Sequence, residues 1–428
     1  MNKRVLKAVA TVLISITTGV GTLYFLEERR ANHAGEKGKG EKGKEEQRPT
    51  LDPKPETRNP TWNTYHGDSA LRGVAESTLS EKLELRWRFK AGAPVRCTPV
   101  AEGGRIFFAT ARGEVIATDF NAQRLWSRNL LTGETQNGVA APERIEAPVA
   151  CFNGLLLVGT MRGMLYALDA ASGDEKWHTQ IDGRIMGTAN YLPPSADQPG
   201  GRVYVLDRAE GVLYGLDANS GSILWRSEPI ARCDGSPSVT SNAVVFGSCA
   251  AALHVFSPDT GKLLRNIEID EDSQVAGGVA IDGSSVFSGC RSGKVIHADI
   301  NTGQIVWTNT DTQAEAFATP AVTMESVVAC SSDGNVLAIE RATGKLRWRF
   351  DTKGNPSSPV IAGDKVVVAA DGELFLLRLA DGVLLWSLKV SDEITSPAVL
   401  PGMILVGSED GTVVAFGAAS EQKESPQQ

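Results

Sequence analysis

The sequence predicts an all-β protein, an eight-bladed β-propeller of four-stranded antiparallel blades, closed by an N-terminal strand and preceded by one transmembrane helix. Three observations carry this. YALDAASGDEKW (166–177) recurs as YGLDANSGSILW (214–225), IHADINTGQIVW (296–307), LAIERATGKLRW (337–348) and FLLRLADGVLLW (375–386), with weaker copies at 116–126 and 254–265. A repeat of about 40 residues whose units cannot bury their own apolar faces must stack unit on unit. Eight short segments read as inner strands: TPVA (98–101), APVA (147–150), TANY (188–191), SPSV (236–239), GGVA (277–280), TPAV (319–322), SPVI (358–361) and SPAV (396–399). Finally, each end of the repeat array carries an orphan. LELRWRF (83–89) has no preceding repeat element, and GTVVAFG (411–417) has no outer strand after it. Each completes the other, which removes a free sheet edge.

Taken in order, the chain opens on Lys3, Arg4 and Lys7 before an uncharged run, AVATVLISITTGVGTLYFL (8–26). About 20 apolar residues span a bilayer, and basic residues before the run keep that end inside. The expectation is an uncleaved anchor over 1–26, with a cleaved signal peptide as the rival. No Cys follows the run, so a lipid-modified N-terminal Cys is not expected. Residues 27–60 contain GEKGKGEKGKEEQRP, a charged stretch without enough apolar surface to fold, and read as a flexible linker. The propeller spans 61–417, and 418–428 reads as a disordered tail.

Within each unit an inner strand, a turn and a second strand lead to a third strand, an Asp/Gly hairpin and an outer strand ending in Trp. Asp supplies side-chain acceptors for turn amides and Gly the left-handed conformation. Seven of the eight Trp lie at or near repeat ends: Trp87, Trp126, Trp177, Trp225, Trp307, Trp348 and Trp386. The fourth unit has Arg265 instead.

The Asp169, Gly173, Trp177 and Asp217, Gly221, Trp225 runs, together with the glycine-rich run 159–165, resemble the PQQ-repeat, quinoprotein-like propellers. So do Trp62, Gly67 and Gly73 in the opening segment. The type is that of the BamB-like outer-membrane assembly propellers. The resemblance covers roughly 61–417 and implies that the Trp side chains pack between blades. It also implies two kinds of function: an interaction scaffold, or a dehydrogenase holding pyrroloquinoline quinone with Ca²⁺. The dehydrogenases carry long inserts and an adjacent Cys-Cys pair, and none of the six Cys here has a Cys neighbour. There is no C-x-x-C-H for haem, no G-x-S-x-G, no H-E-x-x-H and no phosphate-binding loop. The five His are scattered, and His254 and His297 read as structural. The expectation is no cofactor and no catalytic or metal-binding residue. The net charge of −8 excludes a typical nucleic-acid binder.

Antiparallel connection puts the loop before each inner strand and the turn after each second strand at one end. The loops contribute Arg96, Arg184 and Arg232, the turns Arg112, Arg162, Arg208 and Arg291. Acidic residues dominate blades six to eight. Arg suits protein interfaces and carboxylate recognition, so this face is the candidate interaction face. The longest connection, 129–146, lies on it. Cys233, just before an inner strand, and Cys249, at the end of the next, are expected to pair, because antiparallel strands place those positions side by side. The rival pair is Cys290 with Cys330. The resulting expectation is an inner-membrane-tethered, extracytoplasmic propeller that binds protein partners of the cell envelope and performs no chemistry. The alternatives are a quinone oxidoreductase and a propeller that binds an envelope polymer.

Overall fold

A computed structural model describes residues 60–136, 139–196, 199–312 and 314–419. The anchor at 1–26, nearly all of the linker and residues 420–428 lie outside the described residues. Among the described residues, no helix is long and apolar enough to cross a membrane.

The chain forms eight blades around an axis. Blade two is representative: Ala150–Phe152, Leu155–Gly159, Met164–Asp169 and Glu175–Gln180 pair antiparallel in sequence order. Its second strand, LLLVG, is buried throughout. That differs from the alternation expected of a half-solvated strand, because both faces of a blade are covered by neighbouring blades. Only the outer strand alternates; in Glu175–Gln180 Trp177 is buried between exposed Lys176 and His178. The core therefore lies between blades. One cluster joins Phe107, Val115 and Ala117 of blade one to Leu156, Val158 and Leu168 of blade two.

The repeat signature has a direct packing cause. Asp169 Oδ1 accepts from the amides of Ala171 (2.9 Å) and Ser172 (3.0 Å), which sets the hairpin. Gly173 follows at φ 77°, and a Cβ there would sit 2.6 Å from the Trp126 ring of the preceding blade. Glycine is thus demanded twice, by conformation and by the indole lying on it. The same stacking puts Trp177 on Gly221, Trp225 on Gly261, Trp307 on Gly344 and Trp348 on Gly382. The indole N–H then donates across the blade junction: Trp87 to Phe120 O (2.8 Å), Trp126 to Ala170 O (3.2 Å), Trp177 to Ala218 O (2.9 Å), Trp307 to Arg341 O (2.8 Å) and Trp348 to Leu379 O (2.8 Å).

Blade four departs from this at both junctions. The carbonyl that Trp225 would reach, Pro258 O, is held by Arg202 Nη1 and Tyr204 Oη, and Trp225 Nε1 is buried without a partner. At the next junction Arg265 replaces Trp. Its aliphatic stem covers Gly303 and its guanidinium donates to Asn301 O (2.9 Å) and Thr302 O (3.3 Å).

Ring closure is as the orphan strands predict. Leu83–Lys90 pairs antiparallel with Thr412–Ala418, from Leu83 with Ala418 to Lys90 with Thr412. Three details differ from the sequence reading. The last strand runs one residue past 417, to Ala418. Inner strands start later than the motifs suggest, as in Val100–Glu102 and Ala398–Leu400. The Ser/Thr positions before them instead link adjacent blades, with Thr188 N donating to Ser236 Oγ (2.8 Å) and Thr319 N to Ser358 Oγ (3.0 Å). The connection 129–146 contains a two-stranded ribbon, Leu131–Gln136 with Val139–Pro142.

Candidate interaction face and axial channel

Backbone bonds define the face. Met161 N, in the second turn of blade two, donates to Arg144 O in the loop leading into that blade (2.9 Å). Ile185 N, leading into blade three, donates to Thr160 O (3.2 Å). The pattern recurs in Cys249 N to Arg232 O (2.9 Å), Cys233 N to Arg208 O (3.0 Å) and Arg291 N to Gln274 O (2.8 Å). Leading loops and second turns therefore interleave on one face, as antiparallel connection requires.

On this face the structure brings three of the expected arginines together. Arg208 Nε donates to Asp234 Oδ1 at 2.5 Å, Arg232 lies 3.0 Å from Oδ2, and Arg291 lies 4.0 Å away. Burial would raise the Asp234 pKa, but hydrogen bonds from Arg208 and Arg232 outweigh it and hold the carboxyl below its usual range. Arg291 also pairs with Glu315 (3.5 Å) and lies 5.0 Å over the Phe317 ring. Two carboxylates, Asp234 and Glu315, stand among the three guanidinium groups, which leaves the cluster itself one positive charge in excess. Exposed Arg184 stands in the loop leading into blade three. An open groove of about 590 Å³ borders the sector, lined by Asp182, Asp207, Glu210 and Arg226 among others.

Arg96 is placed elsewhere. It grips Glu409 with two bonds (2.8 and 2.6 Å) and reaches Glu146 (3.5 Å), bridging blades eight and two. The bond from Arg96 holds Glu409 below the usual carboxylate range. Arg112 and Arg162 are exposed at their turn tips, apart from the Asp234 cluster.

The expected Cys233–Cys249 bridge is not formed, and all six cysteines are free thiols. Cys233 occupies the position that Ile185 and Val275 fill at other junctions. There the side chain packs on a glycine of the preceding blade; Cys233 Sγ likewise lies against Gly211 and bonds Ala231 O (3.0 Å). Cys249 belongs to blade four's own second turn, near enough for its thiol to act electrostatically on that of Cys233. Burial pushes the Cys97 and Cys290 thiols up to about 12, which leaves them poor nucleophiles. His254 is satisfied by Ser248 (2.8 Å) and Asn266 (2.8 Å), and His297 stacks on Phe287 at 4.4 Å. No group of three His, Cys, Asp or Glu fit to hold a metal occurs among the described residues.

The opposite mouth of the axial channel holds residues that sequence reasoning missed. Tyr65 Oη meets Thr319 Oγ1 at 2.5 Å, and burial pushes the phenol up to about 12. A Cβ at Gly278 would lie 2.3 Å from Tyr65 Oη. His66 is fully buried, with Nδ1 2.7 Å from Leu71 O and Nε2 2.9 Å from Pro359 O. Tyr65 thus reaches blades five and six and His66 blade seven, from a segment that begins at blade one. Tyr65 and His66 occupy this mouth, and among the described residues no group of three His, Cys, Asp or Glu fit to hold a metal such as Ca²⁺ stands beside them. The available signal was Gly67 and Gly73, both at positive φ, following an aromatic pair.

Two successive stretches, 123–276 and 270–427, match the profile of the family described as outer membrane protein assembly factor BamB. The chain belongs to that family. BamB of Shewanella oneidensis is 21% identical over 286 residues, 62% of this chain and 60% of that protein, so the chain spans about three-fifths of that relative's length. The crystal structure of BamB from Moraxella catarrhalis shares the fold, with a TM-score of 0.66 at 19% identity over 80% of this chain and 99% of that one. A quinohemoprotein alcohol dehydrogenase from Comamonas testosteroni is 28% identical over 130 residues, 28% of this chain and 18% of that protein. Its crystal structure gives a TM-score of 0.65 at 16% identity, over 86% of this chain and 82% of that one.

Proposed function

We propose that this BamB-family propeller is a non-enzymatic scaffold that holds a protein partner on its arginine-bearing face. The observation that carries the reading is Asp234 shared by Arg208, Arg232 and Arg291, with Arg184 exposed nearby. Such a sector fits a partner surface rich in carboxylates, which steers encounter and fixes register. The name borne by the relatives, outer membrane protein assembly factor, supports a protein partner in the cell envelope. The uncharged run 8–26 supports a membrane tether with the propeller on the extracytoplasmic side. The reading needs no cofactor and no nucleic acid. The test is in-cell crosslinking with Arg184→Glu, Arg208→Glu and Arg232→Glu combined. Captured partner should fall at least about tenfold, a small share of what removing central interface arginines can do; undiminished capture by a folded variant overturns the reading.

A quinone oxidoreductase is the second reading, favoured by the 130-residue likeness to the Comamonas enzyme. Quinone-dependent oxidation of alcohols by the purified protein with Ca²⁺ would decide for it.

A further inference from the structure

The segment that leads into the propeller does not simply arrive at blade eight. Trp62 pairs with Ala101 of blade one, and Asn63 O accepts from Cys151 N of blade two (2.9 Å). After a turn across the axis, Ser69 O accepts from Val239 N of blade four (2.7 Å), and Asn190 Nδ2 of blade three reaches the same oxygen (2.7 Å). Ala70 O, Arg72 O and Gly73 O then accept in turn from Ile281 N (2.9 Å), Val322 N (2.8 Å) and Ile361 N (2.8 Å) of blades five, six and seven. Val74–Ala75 adds a parallel strand to blade seven, and the chain continues into Leu83–Lys90 of blade eight.

We propose that residues 63–69 are a resident axial plug, and that the circuit from Trp62 to Ala75 is a strap that keeps the plug seated. Three features separate this from a surface strand that happens to pass the mouth. The inner strands donate amides to successive carbonyls of the strap, so it satisfies backbone groups that would otherwise face the channel. The turn at 64–67 drives its side chains inward: Tyr65 bonds Thr319, ahead of that blade's inner strand Ala321–Val322, so the phenol extends along the channel. Gly73 leaves room for the His66 ring, since a Cβ there would lie 2.3 Å from it. Tyr65 and His66 of the plug fill this mouth of the channel. A ligand gains the axis from this mouth only by displacing part of the chain itself. The inference rests on no part of the partner-binding reading, which concerns the other face.

The test uses the full-length protein. Hydrogen exchange should show the strap's own bonded amides, such as Trp62, Leu71 and Gly73, protected like those of the blades. Equilibrium dialysis with pyrroloquinoline quinone and Ca²⁺ should leave no quinone retained. In Tyr65→Gly/His66→Gly, exchange at those amides should accelerate about tenfold, the equivalent of one or two lost hydrogen bonds. Leu213–Asp217 of blade three should be unchanged. Unprotected strap amides in the parent overturn the proposal, as does stoichiometric quinone retention with the strap still protected. Unaltered exchange in the folded double variant overturns it too. If that variant does not fold, the two measurements on the parent protein decide.

Discussion

His66 Nε2 lies 2.9 Å from the carbonyl oxygen of Pro359, 293 residues further along the chain. The other ring nitrogen lies 2.7 Å from Leu71 O. A neutral imidazole carries one N–H and satisfies one of these carbonyls. Burial lowers the His66 pKa, against the opposing pull of the two carbonyls and Asp68. Because the folded value lies below the unfolded one, the unfolded chain binds the proton first. Stability from this group is present above pH about 6.5 and falls as the pH drops below it. Urea midpoints measured from pH 7.5 to 5 should decline, and less steeply in His66→Gln. His254 and His297 shift the same way, so part of the slope should remain. An identical slope in the variant would contradict this assignment.

Gly73→Ala tests the fit of the ring directly. The new Cβ would meet the His66 imidazole at 2.3 Å from a backbone at φ 64°. Strain of this kind costs about 1–3 kcal/mol. Differential scanning calorimetry should show a lower thermal midpoint, and no change would mean that the ring is free to move aside.

Trp177 and Trp225 lie in equivalent repeats, but only Trp177 has a partner for its indole N–H, at Ala218 O. Replacing either by Phe removes similar ring volume, so the difference isolates the bond. Trp177→Phe should destabilise by about 1 kcal/mol more than Trp225→Phe. Equal losses in chemical denaturation would mean that the bond contributes nothing.

Asp234 should give stability an acid limb. Its folded pKa is held below the unfolded value by Arg208 and Arg232 in spite of burial. Its contribution is therefore complete above pH about 4 and is lost as pH falls through the folded value. Asp234→Asn should flatten the stability profile between pH 5 and 3, and should lower stability at pH 7 by leaving the three guanidinium groups without the negative charge they share. An unchanged acid limb would place the titrating group elsewhere.

Deleting 83–89 removes the partner of Thr412–Ala418. The exposed edge of blade eight should lower the thermal midpoint and promote self-association, read by light scattering. A monomer with the parent midpoint would show that this strand does not close the ring.

The ring itself was legible because its signals are local and repeated. Asp169, Gly173 and Trp177 each mark one end of a hairpin or a blade junction, and the pattern recurs often enough to be counted. The two orphan strands were legible because each lacked something the other supplied. The plug was not, because Tyr65 and His66 answer to partners such as Thr319 and Pro359 that no spacing rule connects to them. The cysteine pairing failed for a related reason. Strand order places Cys233 and Cys249 near each other, but the direction of a side chain at a blade junction depends on the preceding blade, which offers Gly211 as the floor for Cys233. Arginine clustering was visible by face, while its gathering on a single acid depended on the rotation between blades.

The pairing of Leu83 with Ala418 also governs the order in which the protein can be made. A chain leaving a ribosome or a translocation pore presents Leu83–Lys90 first and Thr412–Ala418 last. Until then the early strand has no partner, and the Trp62–Ala75 segment has few of the inner strands that will hold it. Contacts so distant in sequence form slowly, and open strand edges invite association in the meantime. Blades one to seven can stack as they emerge, but the ring exists only once the final strand arrives. Maturation is therefore timed by the arrival of Thr412–Ala418, and removing that strand should be far more damaging than its few residues suggest.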